Sequence, residues 1–354
     1  MPETATFTLE PLYDYPQHQQ VLNLAAEHAT EVDEDQRSPF ETLKVLGSEG
    51  LLTLGREGSL LPQIAVGFDI ATECAATAFS LWAHRSTIAF FDAVGRELPA
   101  GLASGEVTGS TAMAAAFKDS SGVGEIQVHA TRVEGGLQLN GVIFWASNLY
   151  PGGVVVLPLI LDDAAEGESD KLIVQTRVGN EGFNVKYQKG LLALDATESG
   201  FTKIENLFVP ESDILTDDVP GFLKKILAPF LLVQSSFCLG LAAAALNSAS
   251  DHLNVSQGIF RREFEDIHAE YESLRREITE LAEKPSQAER RRLLQLRLDV
   301  SHLATAATRL ELSTVGGKAY KVKSPSGRRL RESQFLPVQS PTEGHLRFEL
   351  ANAS

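Results

Sequence analysis

The sequence predicts an α+β fold that is mostly α, with a helical domain, a small β-domain and a helical bundle in that order. Apolar residues recur every three or four positions through residues 17–107, which is typical of packed helices. The spacing then shortens to two, which indicates strands, and the helical spacing returns near residue 218. We therefore expect an N-terminal helical domain (1–107), a middle β-domain (108–217) and a C-terminal four-helix bundle (218–354).

Two features define the expected helices of the first domain. Ser38 is a predicted N-cap, with Pro39 at the first helical position and Glu41 completing a capping box. The stretch "LPQIAVGFDIATECAATAFSLWAH" (61–84) predicts one long helix. Because this stretch is apolar on nearly every side, we expect the helix to be buried by neighbours all round.

The middle domain is predicted to consist of short strands. The stretch "EIQVHATRVEGGLQLNGVIFWAS" (125–147) alternates apolar and polar residues, and Gly135-Gly136 predicts a hairpin turn within it. Three further runs continue the strand pattern up to residue 217. A closed or sandwich arrangement of these strands is expected.

Long helical segments with short loops predict an antiparallel bundle at the C-terminal end. The segments cover residues 221–254, 260–282, 287–318 and 327–350. Ser286 and Glu289 predict a capping box at the start of the third segment. The apolar run 226–246 is long enough to span a membrane, but Gln234, Ser235 and Ser236 interrupt it, which favours a buried core helix.

Composition excludes several classes of function. The net charge of −16 argues against a nucleic-acid partner, which needs a basic face. Cys74 and Cys238 both lie in apolar helical patterns, so we expect buried thiols and no disulfide framework. The N-terminus lacks the basic start and apolar segment of a signal peptide. These features predict a soluble, cytoplasmic protein with no membrane partner.

The common catalytic and metal-binding motifs are missing from the sequence. We find no P-loop, no strand–GxGxxG–helix unit, no GxSxG elbow and no HExxH helix. The eight histidines do not have the spacing of metal ligands, so no metal site is predicted.

The string "LNGVIFWASN" (139–148) resembles a strand of the acyl-CoA dehydrogenase family that ends in Phe-Trp-(Ile/Ala)-(Thr/Ser)-Asn. The order of the three domains is also that of this family, and the resemblance extends from about residue 20 to 350. It implies that FAD, with FMN as the alternative, binds beside Trp145, and that Ser147 hydrogen-bonds the ring near N5. An aromatic wall orders a planar ring, and such a hydrogen bond tunes electron acceptance. The competing interpretation is that Trp145 fills the core of the β-domain.

Three other strings carry the resemblance. "AMAAAFKDSSG" (112–122) occupies the position of the family's Ala-Met-(Thr/Ser)-Glu-Pro loop, which implies cofactor contacts from Met113, Ala114 and Ser120. Alanines replace the Thr/Ser, Glu and Pro of that loop. "FTKIENLFVPESDIL" (201–215) is similar to the strand that closes the β-domain.

The last string, "TVGGKAYKVKSPSGRRLRES" (314–333), is similar to a helix pair of the family's bundle. This resemblance implies that Gly316 and Gly317 lie near the flavin of a neighbouring subunit. With the apolar bundle helices, it predicts a homodimer or homotetramer.

The catalytic carboxylate of the family has no counterpart at either of its usual positions. The family's loop position corresponds to Ser340, followed by Pro341, and its alternative position on the first bundle helix corresponds to Phe230. Glu343 is a candidate displaced base, although an acid there also suits the start of the last helix. His84 is a candidate proton donor, or else a satisfied core histidine.

Three hypotheses follow from this pattern. The first is a flavin-dependent oxidoreductase of dehydrogenase or monooxygenase type that does not perform classical α,β-dehydrogenation. The second is an acyl-CoA dehydrogenase that uses Glu343 on an acyl thioester. The third is a non-catalytic family member that serves as a binding or scaffold subunit. The enzyme hypotheses imply a small-molecule substrate and either an electron-transfer partner or a flavin reductase.

Overall fold

The computed structural model describes residues 7–254 and 257–352, and it confirms the predicted α+β fold. The prediction that the chain has no signal peptide concerns the N-terminus, and residues 1–6 lie outside the described residues. The helices before the sheet are α1 (His18–Asp33), α2 (Pro39–Ser48), α3 (Leu61–Glu73) and α4 (Ala75–Ala93).

The predicted single helix over 61–84 is wrong, because the backbone becomes extended at Cys74 and separates α3 from α4. Two side chains from far along the chain bind the backbone groups beside this break. Arg328 donates from Nη2 to the carbonyl of Glu73 (2.5 Å), and Oε1 of Glu332 accepts from the amide of Ala76 (3.4 Å). The interruption is thus stabilised by tertiary contacts that the local sequence does not reveal.

The two predicted capping boxes have different outcomes. At the first, Ser38 is the N-cap of α2, as predicted, and its hydroxyl accepts a hydrogen bond from the amide of Phe40 (3.1 Å). The side chain of Glu41 forms an ion pair with Arg37. The second capping box is wrong, because Ser286 lies in a separate 3₁₀ turn (Pro285–Gln287) that comes before the helix.

The strands form one hydrogen-bonded sheet, with one short helix between its first two strands. The elements are β1 (Gly109–Thr111), α5 (Ala114–Ser120), β2 (Val128–Val133), β3 (Gly136–Ala146), β4 (Val154–Leu161), β5 (Lys171–Arg177), β6 (Phe183–Tyr187), β7 (Gly200–Pro210) and β8 (Ile214–Thr216). The strand order is β6-β7-β3-β2-β4-β5-β8, and β1 pairs with β4 in parallel. The predicted hairpin joins β2 to β3, with Val133 opposite Gly136 and a positive φ at Gly135.

A β-bulge in β3 determines which aromatic side chains leave the core of the sheet. Ile143 pairs with Thr202 and Ala146 pairs with Gly200, so β3 carries one extra residue between these pairs. Both side chains within the bulge, Phe144 and Trp145, are exposed, while Ile143 and Ala146 on either side are buried.

The C-terminal helices are α6 (Val219–Ser250), α7 (Arg261–Glu283), α8 (Arg290–Val315), α9 (Pro325–Ser333) and α10 (Glu343–Asn352). Of these, α6, α7, α8 and α10 share one hydrophobic core with α1–α4, and a second core lies within the sheet. Helix α6 is long and apolar enough to cross a membrane, yet 89% of its most apolar window is buried inside the protein. The loop 334–342, between α9 and α10, leads back towards the sheet and forms part of the site described next.

Candidate active site

A cavity of about 720 Å³ lies where the sheet, the helices and the α9–α10 loop meet. Strand β3 forms one wall, helix α5 a second, and side chains of α4 and α6 form the apolar floor. Among the floor residues, Phe230 packs its ring 4.9 Å from Trp82 and 5.0 Å from Phe117, measured between centroids. The last wall comes from the loop, through Gln339 and Ser340.

Trp145 lines this cavity and does not belong to the core of the sheet. Its side chain is 42% exposed because the β3 bulge turns it out of the sheet. The interpretation of Trp145 as a core residue is therefore wrong. A large flat aromatic surface left open in a cavity is suited to stacking against a planar ligand.

Ser147 also lines the cavity, and a chain of hydroxyl groups leads from it into the protein. Its Oγ lies 2.7 Å from Oγ of Ser199, which lies 2.8 Å from Oγ1 of Thr197. Thr197 donates in turn to the carbonyl of Leu194 (2.8 Å). Because Thr197 uses its only proton there, Ser199 donates to Thr197 and Ser147 donates to Ser199. The lone pairs of Ser147 are thus left to accept a hydrogen bond from the cavity.

The stretch that corresponds to the Ala-Met-(Thr/Ser)-Glu-Pro loop begins the short helix α5, which the strand spacing did not predict. Ala114 and Ala115 line the cavity with methyl groups, and Lys118 follows them one turn later. Met113 is fully buried and Ser120 is exposed, and neither is among the described residues that line the cavity. Of the three contacts implied for this stretch, only Ala114 reaches the cavity.

Both positions at which a catalytic carboxylate was sought, 340 and 230, face the cavity. Ser340 presents a buried hydroxyl that has no hydrogen-bond partner among the described residues. Phe230 contributes a buried aromatic ring. The wall that would hold the base therefore carries a hydroxyl and a phenyl group.

The candidate displaced base, Glu343, does not line the cavity. It begins α10, where Oε1 lies 3.2 Å from Nε2 of His302 and 2.6 Å from Nη2 of Arg347. Partial burial acts to raise the pKa of Glu343, but the hydrogen bonds from His302 and Arg347 outweigh it and lower this pKa. These contacts agree with the alternative interpretation, an acid at the start of a helix.

The candidate proton donor, His84, is fully buried and bonded through both ring nitrogens. Its Nδ1 accepts from the amide of Gly109 (3.0 Å), so its Nε2 donates to the carbonyl of Leu102 (2.9 Å). Burial lowers the pKa of His84 to about 4, which keeps the ring neutral. His84 is not among the described lining residues, and its contacts give it a structural role between α4 and β1.

Gly316 and Gly317 also lie away from the cavity wall. Gly316 has a φ of +72° and follows the last residue of α8, a position where glycine commonly ends a helix. A side chain at Gly317 would meet open space. Within this chain, Gly316 is explained by the end of the helix.

Sequence reasoning missed the polar groups behind the loop. Arg297 on α8 and Gln234 on α6 are completely buried and hydrogen-bond to each other. The sequence marks both residues only as polar positions within apolar helical patterns. For Gln234, this polarity was interpreted only as evidence against a membrane-spanning helix. Among the described lining residues, Lys118 and Glu125 are the ones that ionise, and Glu125 is exposed.

The groups around the cavity fit the ring portion of a flavin. Trp145 offers a flat aromatic face, and Ser147 beside it offers a hydrogen-bond acceptor. The described residues contain no cluster of three or more His, Cys, Asp or Glu that could hold a metal ion.

Comparison with known proteins adds a sequence match to this geometry. No family model matches the chain. The chain is 24% identical over 254 residues to mitochondrial isovaleryl-CoA dehydrogenase of Oryza sativa subsp. japonica, and this match covers 68% of the chain. The corresponding protein of Solanum tuberosum matches with the same identity. The match spans 62% of the rice protein's length.

Solved structures share the fold along nearly the whole chain. Butyryl-CoA dehydrogenase from Megasphaera elsdenii superposes with a TM-score of 0.81 at 19% identity, covering 98% of this chain and 99% of that one. The chain is thus similar to acyl-CoA dehydrogenases both in sequence and in fold.

Two further structures indicate how varied this fold is. A glutaryl-CoA dehydrogenase from Mycobacterium smegmatis, described in complex with FADH2, has a TM-score of 0.75 at 14% identity and covers 97% of this chain and 95% of that one. Nitroalkane oxidase, crystallised with 1-nitrohexane, has a TM-score of 0.76 at 14% identity, with 96% of both chains covered. An oxidase therefore shares this fold with the dehydrogenases, so the fold leaves the reaction open.

Proposed function

We propose that this chain is a flavin-dependent oxidoreductase that does not use a carboxylate at position 340 or 230 to remove a substrate proton. The observation that carries the proposal is that positions 340 and 230 both line the cavity and that neither holds an acid, since they are Ser340 and Phe230. Removal of an α-proton needs a base with a matched pKa within reach of the carbon. A serine hydroxyl serves as a base only when another group takes its proton, and no described group hydrogen-bonds Ser340 Oγ.

Trp145, Ser147 and the backbone of Ala114 are the residues that would hold the flavin, FAD in the first instance and FMN as the alternative. When bound, the flavin would supply the acceptor for a hydride or for electrons. Phe79, Trp82 and Phe230 on the apolar floor would exclude water from the reacting face. The polar groups of the loop would orient the substrate against that face.

A small organic molecule is the proposed substrate, and an acyl thioester remains one candidate for it. The names of the relatives support both thioester and non-thioester substrates. Electrons would leave to a partner protein or to oxygen, or a flavin reductase would deliver them. We also propose that the chain forms a homodimer or homotetramer and acts in the cytoplasm.

The presence of flavin is the first test. Protein purified with its cofactor should be yellow and should absorb in the two visible flavin bands. Trp145→Ala should retain much less flavin, because the stacking surface is lost. Phe208→Ala is the matched control, since Phe208 is an exposed aromatic residue of the same sheet that does not line the cavity. Colourless protein that takes up neither FAD nor FMN would favour the scaffold hypothesis instead.

One observation favours a second candidate, a thioester dehydrogenase with a displaced base. Glu125 is the carboxylate among the described residues that line the cavity. Anaerobic mixing with a set of acyl-CoAs distinguishes the two candidates by the bleaching of the flavin. Bleaching that disappears in Glu125→Gln would establish the dehydrogenase. No bleaching, together with rapid reoxidation of photoreduced flavin by oxygen, is the result expected from our proposal.

A further inference from the structure

Arg297 is a buried cation with no carboxylate beside it. Its side chain is 0% exposed, and no acidic group of the described residues lies within ion-pair distance. It donates from Nε to Oε1 of Gln234 (2.7 Å), and from Nη2 to the carbonyl of Leu336 (3.1 Å) and to Oε1 of Gln339 (3.2 Å). A buried charge is normally paired, because leaving water is costly, so this cation needs an explanation.

The guanidinium group fixes the orientation of the two glutamine amides. An arginine only donates hydrogen bonds, so both Gln234 and Gln339 turn their carbonyl oxygens towards Arg297. The amide nitrogen of Gln234 then donates to the carbonyl of Ser340 (2.9 Å). The amide nitrogen of Gln339 has no partner in the described part of the chain, although the residue is only 3% exposed and lines the cavity. Gln339 therefore holds unpaired hydrogen-bond donors within the wall of the cavity.

Three buried polar atoms in this wall or directly behind it have no partner among the described residues: Nε2 of Gln339, Oγ of Ser340 and, behind them, Nη1 of Arg297. All three are able to donate a hydrogen bond. Buried donors that lack an acceptor destabilise a fold, and their concentration at one wall of a cavity points to a ligand that supplies the acceptor.

We propose that this wall binds the carboxylate of an anionic substrate, with Gln339 Nε2 and Ser340 Oγ as donors and Arg297 as the charge behind them. The proposal takes the cavity to be the substrate site, as in the proposed function. Lys118, the cation among the described lining residues, adds to the positive potential, whereas Glu125 lies at the exposed edge. The net charge of the chain is −16, so a positive electrostatic potential at this wall would be opposite in sign to the charge of the protein as a whole.

The assignment also explains the missing base. The position that would hold a negatively charged side chain now holds donors, so the negative charge is brought by the substrate. A carboxylate placed beside Ser340 would be repelled by a protein carboxylate there, which makes the two arrangements mutually exclusive. The site is thereby selective for acids over neutral molecules of the same shape.

Calorimetric titration of the full chain, with its cofactor, tests this directly. The probes are acetate, hexanoate and benzoate, each compared with its primary amide. We expect at least one carboxylate to bind about tenfold or more tightly than its amide. In Gln339→Leu this preference should fall to within about threefold. Gln127→Leu is the matched control, because Gln127 also lines the cavity but is exposed, and it should keep the preference.

Other outcomes would overturn the proposal. Equal binding of every acid and amide, or a preference that survives in Gln339→Leu, would show that this wall is only structural. A loss of flavin in Gln339→Leu with the ligand preference unchanged would assign the donors to the cofactor. Arg297→Lys keeps the positive charge but loses the planar guanidinium group with its several N–H donors. It should weaken carboxylate binding less than Arg297→Met does. Flavin content, read from absorbance, separates failure of this inference from failure of the proposed function.

Discussion

Ser80 and Asn148 exchange two hydrogen bonds and thereby join helix α4 to the end of β3. Oγ of Ser80 donates to Oδ1 of Asn148 (2.6 Å), and Nδ2 of Asn148 donates to the carbonyl of Ser80 (2.8 Å). Asn148 is fully buried and has a φ of +60°, a conformation that asparagine adopts more readily than most residues. This pair sets where Ser147 and Trp145 lie relative to the helical floor of the cavity.

Replacing Asn148 should therefore destabilise the whole protein. Asn148→Ala leaves Ser80 without its partner and puts alanine in a left-handed conformation, so we expect a loss of about 3 kcal/mol in the free energy of unfolding. Urea denaturation measures it. Asn184→Ala, at an exposed asparagine of β6, should change stability by less than about 0.5 kcal/mol. An unchanged midpoint of urea denaturation for Asn148→Ala would mean that the hydrogen bonds between Ser80 and Asn148 do not stabilise the fold.

A buried acid, Glu332, should make stability depend on pH near neutrality. Burial raises its pKa from 4.5 to about 7, despite Arg328 nearby. The folded state thus holds the proton more tightly than the unfolded chain, so this contribution is complete below about pH 4.5 and is lost as pH rises through 7. The full difference corresponds to roughly 3 kcal/mol.

In wild type, the free energy of unfolding should fall between pH 5 and pH 8 because of Glu332. The variant Glu332→Gln should not show this fall. Glu349→Gln provides a contrast of opposite sign. Burial acts to raise the pKa of Glu349, but the hydrogen bond with His345 and the charge of Arg290 lower it overall, so its contribution is lost as pH falls. Parallel profiles for wild type and Glu332→Gln would contradict the prediction.

Helices α3 and α6 pack through two glycines that differ in tolerance. A Cβ at Gly240 would lie 2.3 Å from the carbonyl oxygen of Phe68, so Gly240→Ala must push two backbones apart. We expect it to cost about 2 kcal/mol or more. The one close contact of a Cβ at Gly67 would be Oγ of Ser236 at 2.9 Å, which belongs to a side chain that is able to rotate, while Cγ1 of Val233 would lie at an ordinary 4.0 Å. Thermal unfolding should show Gly67→Ala within about 1 kcal/mol of wild type.

The contacts of Glu343 predict that it is dispensable for chemistry. Glu343→Gln weakens the partly exposed pairs with His302 and Arg347, which should change stability by less than about 1 kcal/mol. Flavin content and the rate of flavin reduction by any active substrate should stay at wild-type levels. If the rate of flavin reduction in Glu343→Gln fell a hundredfold or more, Glu343 would again be the candidate base.

The order of helices and strands was predictable because hydrophobic spacing reports directly which face of an element is buried. The break at Cys74 was not, since the groups that stabilise it come from Arg328 and Glu332, about 250 positions away. The base positions 340 and 230 were located by resemblance, and both line the cavity. Arg297 was missed because a single sequence does not reveal which buried cation lacks an anion.

The middle of the loop between α9 and α10, residues 337–342, lies outside both hydrophobic cores. Leu336 and Leu346 anchor its two ends in the helical core, whereas the described residues 337–345 contribute to neither core. Substitutions at Gln339 or Ser340 therefore leave both hydrophobic cores intact, and the buried contact at stake is the hydrogen bond from Arg297 to Gln339. The residues proposed to recognise the ligand are thus separate from those that fill the hydrophobic cores, so an engineer who wants to change the ligand should vary residues 337–342 first and keep Arg297 supplied with an acceptor.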